Sequence, residues 1–267
     1  MQNKIPYNIK NFLLDLIFPR FCLGCQKEIK QKIASFICEN CLNNIPLNGV
    51  ECHVCGLRTA EGACLPAQTG RTCRSKTSLK GLFAAGKYEN PILREAINKF
   101  KYNSIESLKK PLAELVIKYL EKEKLASIFA DSVLVPIPLT WRRKINRGFN
   151  QSELLAKELS PILNCHFMNL LKRQKFNAPQ AKIQDWKERK ENISGAFALS
   201  SEFFKLSPSY PLFTRCRTSD ITSDIISKLR IILVDDVATS GATLEEAARV
   251  LKEAGIKEVY GLVIAKG

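Results

Sequence analysis

The pattern of apolar and polar positions along the chain changes near residue 80. Up to that point Pro46, Asn48-Gly49, Gly56, Gly62, Pro66 and Gly70 interrupt the sequence too often for long elements, and small loops are expected. One apolar stretch, Phe12 to Phe18, is broken by Asp15 and predicts a short amphipathic helix laid against the rest of the fold. Beyond Gly81 the runs lengthen. Leu82 to Tyr88 predicts a strand, and Pro91 to Tyr102 a helix with Pro91 in its first turn and Ile92, Leu93, Ala96, Ile97 and Phe100 on one face. Lys110 to Glu123 repeats Leu112, Leu115, Val116, Tyr119 and Leu120 at helical spacing. Ser132 to Val135, stopped by Pro136, and Ile231 to Val234 read as buried parallel strands. Ser152 to Leu159 and Thr243 to Ala254 read as helices, the second ended by Gly255, and Glu258 to Ala265 as a last strand. Residues 203–229, with Pro208, Pro211 and many Ser and Thr, read as an exposed insertion. Strand and helix alternate, so the fold class is α/β: a parallel sheet flanked by helices, with right-handed crossovers and a ligand crevice at the strand C-termini. The boundary near residue 80 divides the chain into units 1–80 and 81–267.

A length of 267 residues, 45% hydrophobic and 25% charged, suits one large domain or a domain with an appendage, and excludes a fibrous or disordered chain. No apolar run approaches the roughly 18 residues of a spanning helix. Pro19-Arg20-Phe21-Cys22 offers no small-residue cleavage site, so the expected location is the cytoplasm. Cysteine sharpens the first unit: of ten, eight fall between Cys22 and Cys73, leaving Cys165 and Cys216 outside. A disulfide framework does not suit a reducing compartment, whereas Cys22-x2-Cys25, Cys38-x2-Cys41 and Cys52-x2-Cys55 have the knuckle spacing of tetrahedral Zn2+ sites. Cys64 and Cys73 would complete a second site, giving one or two structural zinc ions. A crossed arrangement, Cys38 and Cys41 sharing a metal with Cys52 and Cys55, has the same spacing. His53 lies inside a cysteine pair and His166 follows Cys165 in an apolar run, so neither is a candidate general base.

The net charge of +15 first suggests a polyanionic partner such as nucleic acid. Residues 1–80 hold 11 Lys and Arg against 5 Asp and Glu, which leaves +9 for the second unit. Part of that excess is Arg142, Arg143, Lys144 and Arg147, with no acidic residue between Pro136 and Asn150. Guanidinium groups at that density suit phosphate oxygens. The sharpest chemical signal is Ile231-Ile232-Leu233-Val234-Asp235-Asp236-Val237-Ala238-Thr239-Ser240-Gly241-Ala242-Thr243. Adjacent carboxylates at a strand end can accept from the vicinal hydroxyls of a ribose. The small turn can surround a phosphate with backbone N–H groups and the hydroxyls of Thr239, Ser240 and Thr243, at the positive end of the next helix. A Walker loop is excluded by the missing Gly-Lys-Ser/Thr, and a dinucleotide loop by the missing Gly-x-Gly-x-x-Gly.

This element resembles the phosphoribosyl-pyrophosphate (PRPP) signature of the type I phosphoribosyltransferases. A wider set of blocks resembles one branch, the ComF family of competence-associated proteins, with its double zinc ribbon: Leu13 to Pro19 before the first cysteine pair, Tyr88, Ile97 to Tyr102, Val135 to Leu139, Arg147-Gly148-Phe149-Asn150-Gln151, Gln180, Arg189 with Asn192, and Ala196-Phe197. The spacing of Cys64 from Cys73 departs from the close pair usual in that family. The resemblance implies a type I phosphoribosyltransferase-like sheet. It implies PRPP held by Asp235, Asp236, Ala238, Thr239, Ser240, Gly241, Ala242, Thr243, Pro138 and Leu139, with Mg2+ accompanying the PRPP. Asp235, Asp236 and Arg147 are then the catalytic candidates, and Lys172 to Lys190 a flap closing over the sugar. Two functions follow. One is a phosphoribosyltransferase acting on an unidentified acceptor and linked to DNA uptake. The other is a non-catalytic competence factor that binds single-stranded DNA and works with uptake machinery such as a ComF-operon helicase.

Overall fold

The computed structural model of the chain describes residues 20–29, 36–60, 62, 64, 73–174, 193–205 and 226–267. The expected Phe12–Phe18 helix, most of the Lys172–Lys190 segment with Gln180 and Arg189, residues 206–225 of the insertion, and Cys216 lie outside the described residues.

Two cysteine loops near the start share one backbone design. In the first, Phe21 bridges Glu28, the Cys22 N–H donates to Lys27 O and the Gln26 N–H returns to Cys22 O. In the second, Glu51 bridges Arg58, the Cys52 N–H donates to Leu57 O and the Gly56 N–H returns to Cys52 O. Each loop turns at a positive φ, 58° at Gln26 and 76° at Gly56, a conformation free to glycine and strained for glutamine. The recurring cysteine pairs are therefore a structural repeat. Helix α1 (Glu39–Asn43) begins just after Cys38 and carries Cys41. Around these loops Ile37, Leu42, Ile45 and Val50 are buried in one cluster with Phe83 and Ala85 of β1 (Gly81–Lys87), and the Asn48 N–H donates to Ala85 O at 3.0 Å. The cysteine-rich module is packed on the sheet and shares its core.

Strand β1 joins β2 (Val133–Pro136), β3 (His166–Phe167), β6 (Arg230–Ala238) and β7 (Glu258–Lys266) in a parallel sheet of order β1-β7-β6-β2-β3. A separate antiparallel pair is formed by β4 (Leu171–Arg173) and β5 (Phe197–Leu199). Leu134, Ile232 and Val234 are buried on one face of the sheet, and Val133, Val135, Ile231 and Leu233 on the other. Burial on both faces is why these strands read as continuous apolar runs rather than alternating ones.

The first face packs against α2 (Pro91–Tyr102), α3 (Lys109–Lys122) and, beyond the short α4 (Ala126–Phe129), the later helix α6 (Gln151–Leu163); α5 (Trp141–Arg147) precedes α6 and buries none of its residues. The second face packs against α7 (Ala242–Glu253) and the β4–β5 pair. The expected faces of α2 and α3 are the buried ones: Leu93, Ala96, Ile97 and Phe100, then Leu112, Leu115, Val116, Tyr119 and Leu120. Besides the short strands β3, β4 and β5, which no apolar run predicts, two elements differ from expectation. Strand β6 continues past Val234 through both aspartates, because its ladder with β7 runs on to Ala238 opposite Lys266. The basic stretch after Leu139, where the apolar pattern predicts no element, is helical. The Thr140 side chain accepts the Arg143 N–H, and Gly148 at φ 78° ends the turn.

The block Arg147-Gly148-Phe149-Asn150-Gln151 joins α5 to α6, and each residue has a structural task. Arg147 donates to Gln151 Oε1 at 3.0 Å, Phe149 packs on Phe100 with ring centroids 5.6 Å apart, and Gln151 Nε2 donates to Phe100 O. Asn150 caps α6 by accepting the Ser152 N–H and donates its amide to Ile137 O at 3.0 Å, fastening the segment after β2. Asn150→Ala removes the cap and strands a buried carbonyl. It is expected to cost about 1–3 kcal/mol, lowering the thermal midpoint by roughly 3–10 °C in calorimetry.

Candidate functional site

The cysteines assemble into two groups of four, Cys22, Cys25, Cys38 and Cys41, and Cys52, Cys55, Cys64 and Cys73, the sulfurs of each lying within 4.8 Å of one another. Sulfurs at about 2.3 Å from one tetrahedral zinc would be separated by about 3.8 Å, and Cys25 Sγ lies 3.8 Å from Cys38 Sγ. Both sets fit structural zinc. The crossed pairing is overturned, and the wide Cys64–Cys73 spacing closes a second cluster all the same. The backbone is arranged for thiolates. Burial opposes ionisation of Cys22, but N–H groups, including those of Cys38 and Gly24 at 3.3 and 3.4 Å, outweigh it and bring the thiol down to about 6. Cys52 is likewise lowered to about 7 against its burial, while burial pushes Cys41 and Cys64 up to about 12. A divalent cation at the centre of each group would reverse that penalty.

The second centre follows from topology. The crossover leaving β2 runs through α6 on one face of the sheet, and the crossover leaving β6 runs through α7 on the other. Between the C-terminal ends of these neighbouring strands a crevice opens. Asp235 and Asp236 lie there. Asp235 Oδ1 accepts from Ser152 Oγ at 2.9 Å and from the Asp236 N–H at 2.9 Å. Asp236, buried, pairs with Lys101 Nζ at 2.8 Å. Loss of water, and then the negative charge of Asp236, push the Asp235 carboxyl up to about 7. Lys101 is moved upward in spite of its burial, because Asp236 stands against it.

After β6 the chain makes the turn Thr239–Gly241, with Gly241 at φ 74°, before α7 begins. Ser240 Oγ accepts the Ala242 N–H, and the N-cap residue Gly241 gives α7 no side-chain cap. Ala238 and Ala242 are buried while Thr239, Ser240 and Thr243 reach the surface, so the hydroxyls line the turn and the methyls support it. On the facing side Pro138 and Leu139 are half-buried beyond the end of β2. Three guanidinium groups complete the crevice. Burial, then the charge of Arg147, lower Arg143; burial, then the charge of Arg143, lower Arg173 to about 10, and Asp235 offsets both in part. Arg173 lies over the Phe197 ring at 5.0 Å, and among the described residues its buried Nε meets no acceptor.

The described candidates after β2 and β6 thus follow the C-terminal ends of two neighbouring parallel strands, while the cysteines form separate centres. Lys101, Ser152 and the pairing of Arg173 with Phe197 escaped sequence reasoning as site features. Lys101 stands in the Ile97–Tyr102 block with no role attached to it, and Ser152 only as the start of an expected helix. His166 is at the half-buried edge strand β3, and the Cys165 thiol donates to Phe129 O, so neither enters a site. A cavity of about 510 Å3 opens at the other end of the strands, near Lys80 and Arg230, but both of these pair with Glu258.

Two outcomes follow. A Cβ on Gly24 would lie 2.7 Å from Cys41 Sγ and 2.8 Å from Ile92 Cδ1. Gly24→Ala should therefore lower bound zinc from about two ions per chain to about one by elemental mass spectrometry. Asp235 has a folded pKa above the ordinary carboxylate value, so its contribution to stability is full below about pH 4 and is lost as pH rises through about 7. Asp235→Asn should unfold at a higher temperature than the parent near pH 8, and the difference should vanish near pH 4.

Residues 13–75 match the double zinc ribbon domain family, and residues 150–266 the phosphoribosyl transferase domain family. Competence protein F of Haemophilus influenzae is 27% identical over 91% of this chain and 90% of its own length. DNA utilization protein YhgH of Escherichia coli is 27% identical over 84% of this chain and 87% of its own, and competence protein ComFC of Bacillus subtilis 26% identical over 88% and 89%. Over most of its length the chain is similar to these competence and DNA utilization proteins, with a match to the double zinc ribbon domain family ahead of one to the phosphoribosyl transferase domain family.

Proposed function

We propose that the unit from about residue 81 binds PRPP together with Mg2+ and transfers its phosphoribosyl group to an unidentified acceptor, in the cytoplasm and in the service of DNA uptake. One observation carries the reading: the C-terminal ends of β2 and β6 bring together a carboxylate pair, a hydroxyl-lined turn at a helix start and guanidinium groups, one of which, Arg173, has a buried Nε that meets no acceptor among the described residues. Asp235 and Asp236 accept from the ribose hydroxyls and oppose the positive charge that develops at the anomeric carbon. The turn Ala238–Thr243 holds the 5′-phosphate. Pro138, Leu139 and Arg147, with Arg143 beside it, face the diphosphate. Mg2+, held mainly by the diphosphate itself, supplies charge neutralisation to the leaving group. No side-chain nucleophile is needed, since placement and a preorganised field account for this class of displacement. The link to DNA rests on the relatives, two named as competence proteins and one as a DNA utilization protein.

A second reading, a surface for single-stranded DNA, is favoured by the rim of the same crevice. Tyr102 and Trp141 are 69% and 68% exposed, with Arg147 and Arg142 lying over their rings at 5.3 and 5.7 Å. Exposed rings among arginines suit stacked bases between phosphates, and such a surface could serve an uptake helicase as donor or recipient of the strand.

Titration calorimetry with PRPP and Mg2+ should give saturable binding to the parent and none to the Asp235→Asn/Asp236→Asn double variant; equal binding by both rejects the site. Pyrophosphate release with candidate acceptors then tests turnover. For the DNA reading, affinity for a short oligonucleotide should fall by about tenfold or more between low and physiological salt, and Trp141→Ala should weaken it; a flat salt response rejects it.

A further inference from the structure

A chain of polar contacts links the second cysteine cluster to the turn assigned to phosphate. His53 stands between Cys52 and Cys55, its Nδ1 2.9 Å from Gly62 O and its Nε2 2.9 Å from Thr77 Oγ1. Thr77 Oγ1 donates to Glu245 Oε2 at 2.6 Å, and the Ser78 N–H donates to Oε1 of the same carboxylate. The Leu79 N–H in turn donates to Thr77 Oγ1 at 3.1 Å, so the hydroxyl is held from several sides. Glu245 belongs to the first turn of α7, and its N–H donates to Gly241 O at 2.9 Å, closing the helix immediately behind the turn. A carboxylate at this position ordinarily serves its own helix start. Here both of its oxygens are taken by residues 77 and 78, just beyond the cluster ligand Cys73.

Each link has a definite geometric effect. His53 Nδ1 donates to the Gly62 carbonyl and Nε2 lies against Thr77 Oγ1, whose one proton is shared between Nε2 and Glu245, so both ring nitrogens are taken up and none is left for a metal. The cluster fixes the loop that carries the ring. Two donors on one carboxylate restrain both the position and the rotation of the first turn of α7. Gly241, at φ 74° and without a side chain, adds little restraint of its own.

We propose that His53, Thr77 and Glu245 are positioning residues through which the second cysteine cluster sets the geometry of the turn Thr239–Thr243. The inference deepens the PRPP reading and rests on it for its functional consequence. Its structural part can be measured without any ligand. In the full chain, Thr77→Val removes the hydroxyl at nearly constant volume. Backbone amide exchange over residues 239–245 should then accelerate about fivefold or more, with peptides of β2 and α6 unchanged. Zinc content should stay at the parental value, affinity for PRPP with Mg2+ should fall about fivefold, and Thr77→Ser should restore both exchange and affinity. Cys73→Ser, which opens the cluster, should accelerate exchange over the same residues. Unaltered exchange at 239–245 in both variants overturns the coupling, as does acceleration spread evenly over the whole sheet. If the parent binds no PRPP, the functional reading fails, and the exchange data alone decide whether the strut exists.

Discussion

Two parallel strands that lie side by side but send their following helices to opposite faces of a sheet cannot both be covered at their ends. The gap between β2 and β6 is that uncovered ground, and the aspartates and the hydroxyl-lined turn gather around it. The carboxylates are placed there because β6 outruns its apolar core. The ladder with β7 keeps the main chain extended as far as Ala238, so two charged side chains are fixed by a strand rather than by a loop. Ser152 and Lys101, from α6 and α2, then make two neighbouring negative charges tolerable.

Charge is distributed around this gap with little internal compensation on one side. Lys101 answers Asp236, but Arg143 and Arg173 are lowered first by burial and then by the charge of a neighbouring arginine, with Asp235 offsetting both in part. Like charges held together without an ion pair are costly to a folded chain. The PRPP proposed above would relieve that cost, and on that reading part of the basic excess that suggested nucleic acid has a smaller explanation.

The apolar pattern alone delivered α2, α3, α7 and the central strands, because both faces of the sheet and one face of each helix are buried. The cysteine spacing delivered the ligands, and the small hydroxyl-rich turn after Asp235-Asp236 delivered the centre of the crevice. What escaped was set by distance along the chain or by caps. Ser152 and Asp235 meet only because α6 packs across β6. Helix α5 has no apolar repeat, and Thr140 and Gly148 alone define it. The pairs in β3, β4 and β5 are too short for any period to register. The choice between straight and crossed cysteine pairing was likewise a matter of three-dimensional closure, decided by how the loops at Cys22 and Cys52 fold back on themselves.

Helix α5 has a thermodynamic consequence beyond its shape. It has seven residues, buries none of them, and carries four basic side chains, so almost nothing but its caps favours helix over coil. Isolated helices of this length are unstable in water. Arg143 and Arg147 therefore ride on an element whose helical form depends on its caps and neighbours rather than on its own length. On the PRPP reading, part of the free energy of docking an anion there would go into ordering the segment, coupling ligand affinity to local helix content.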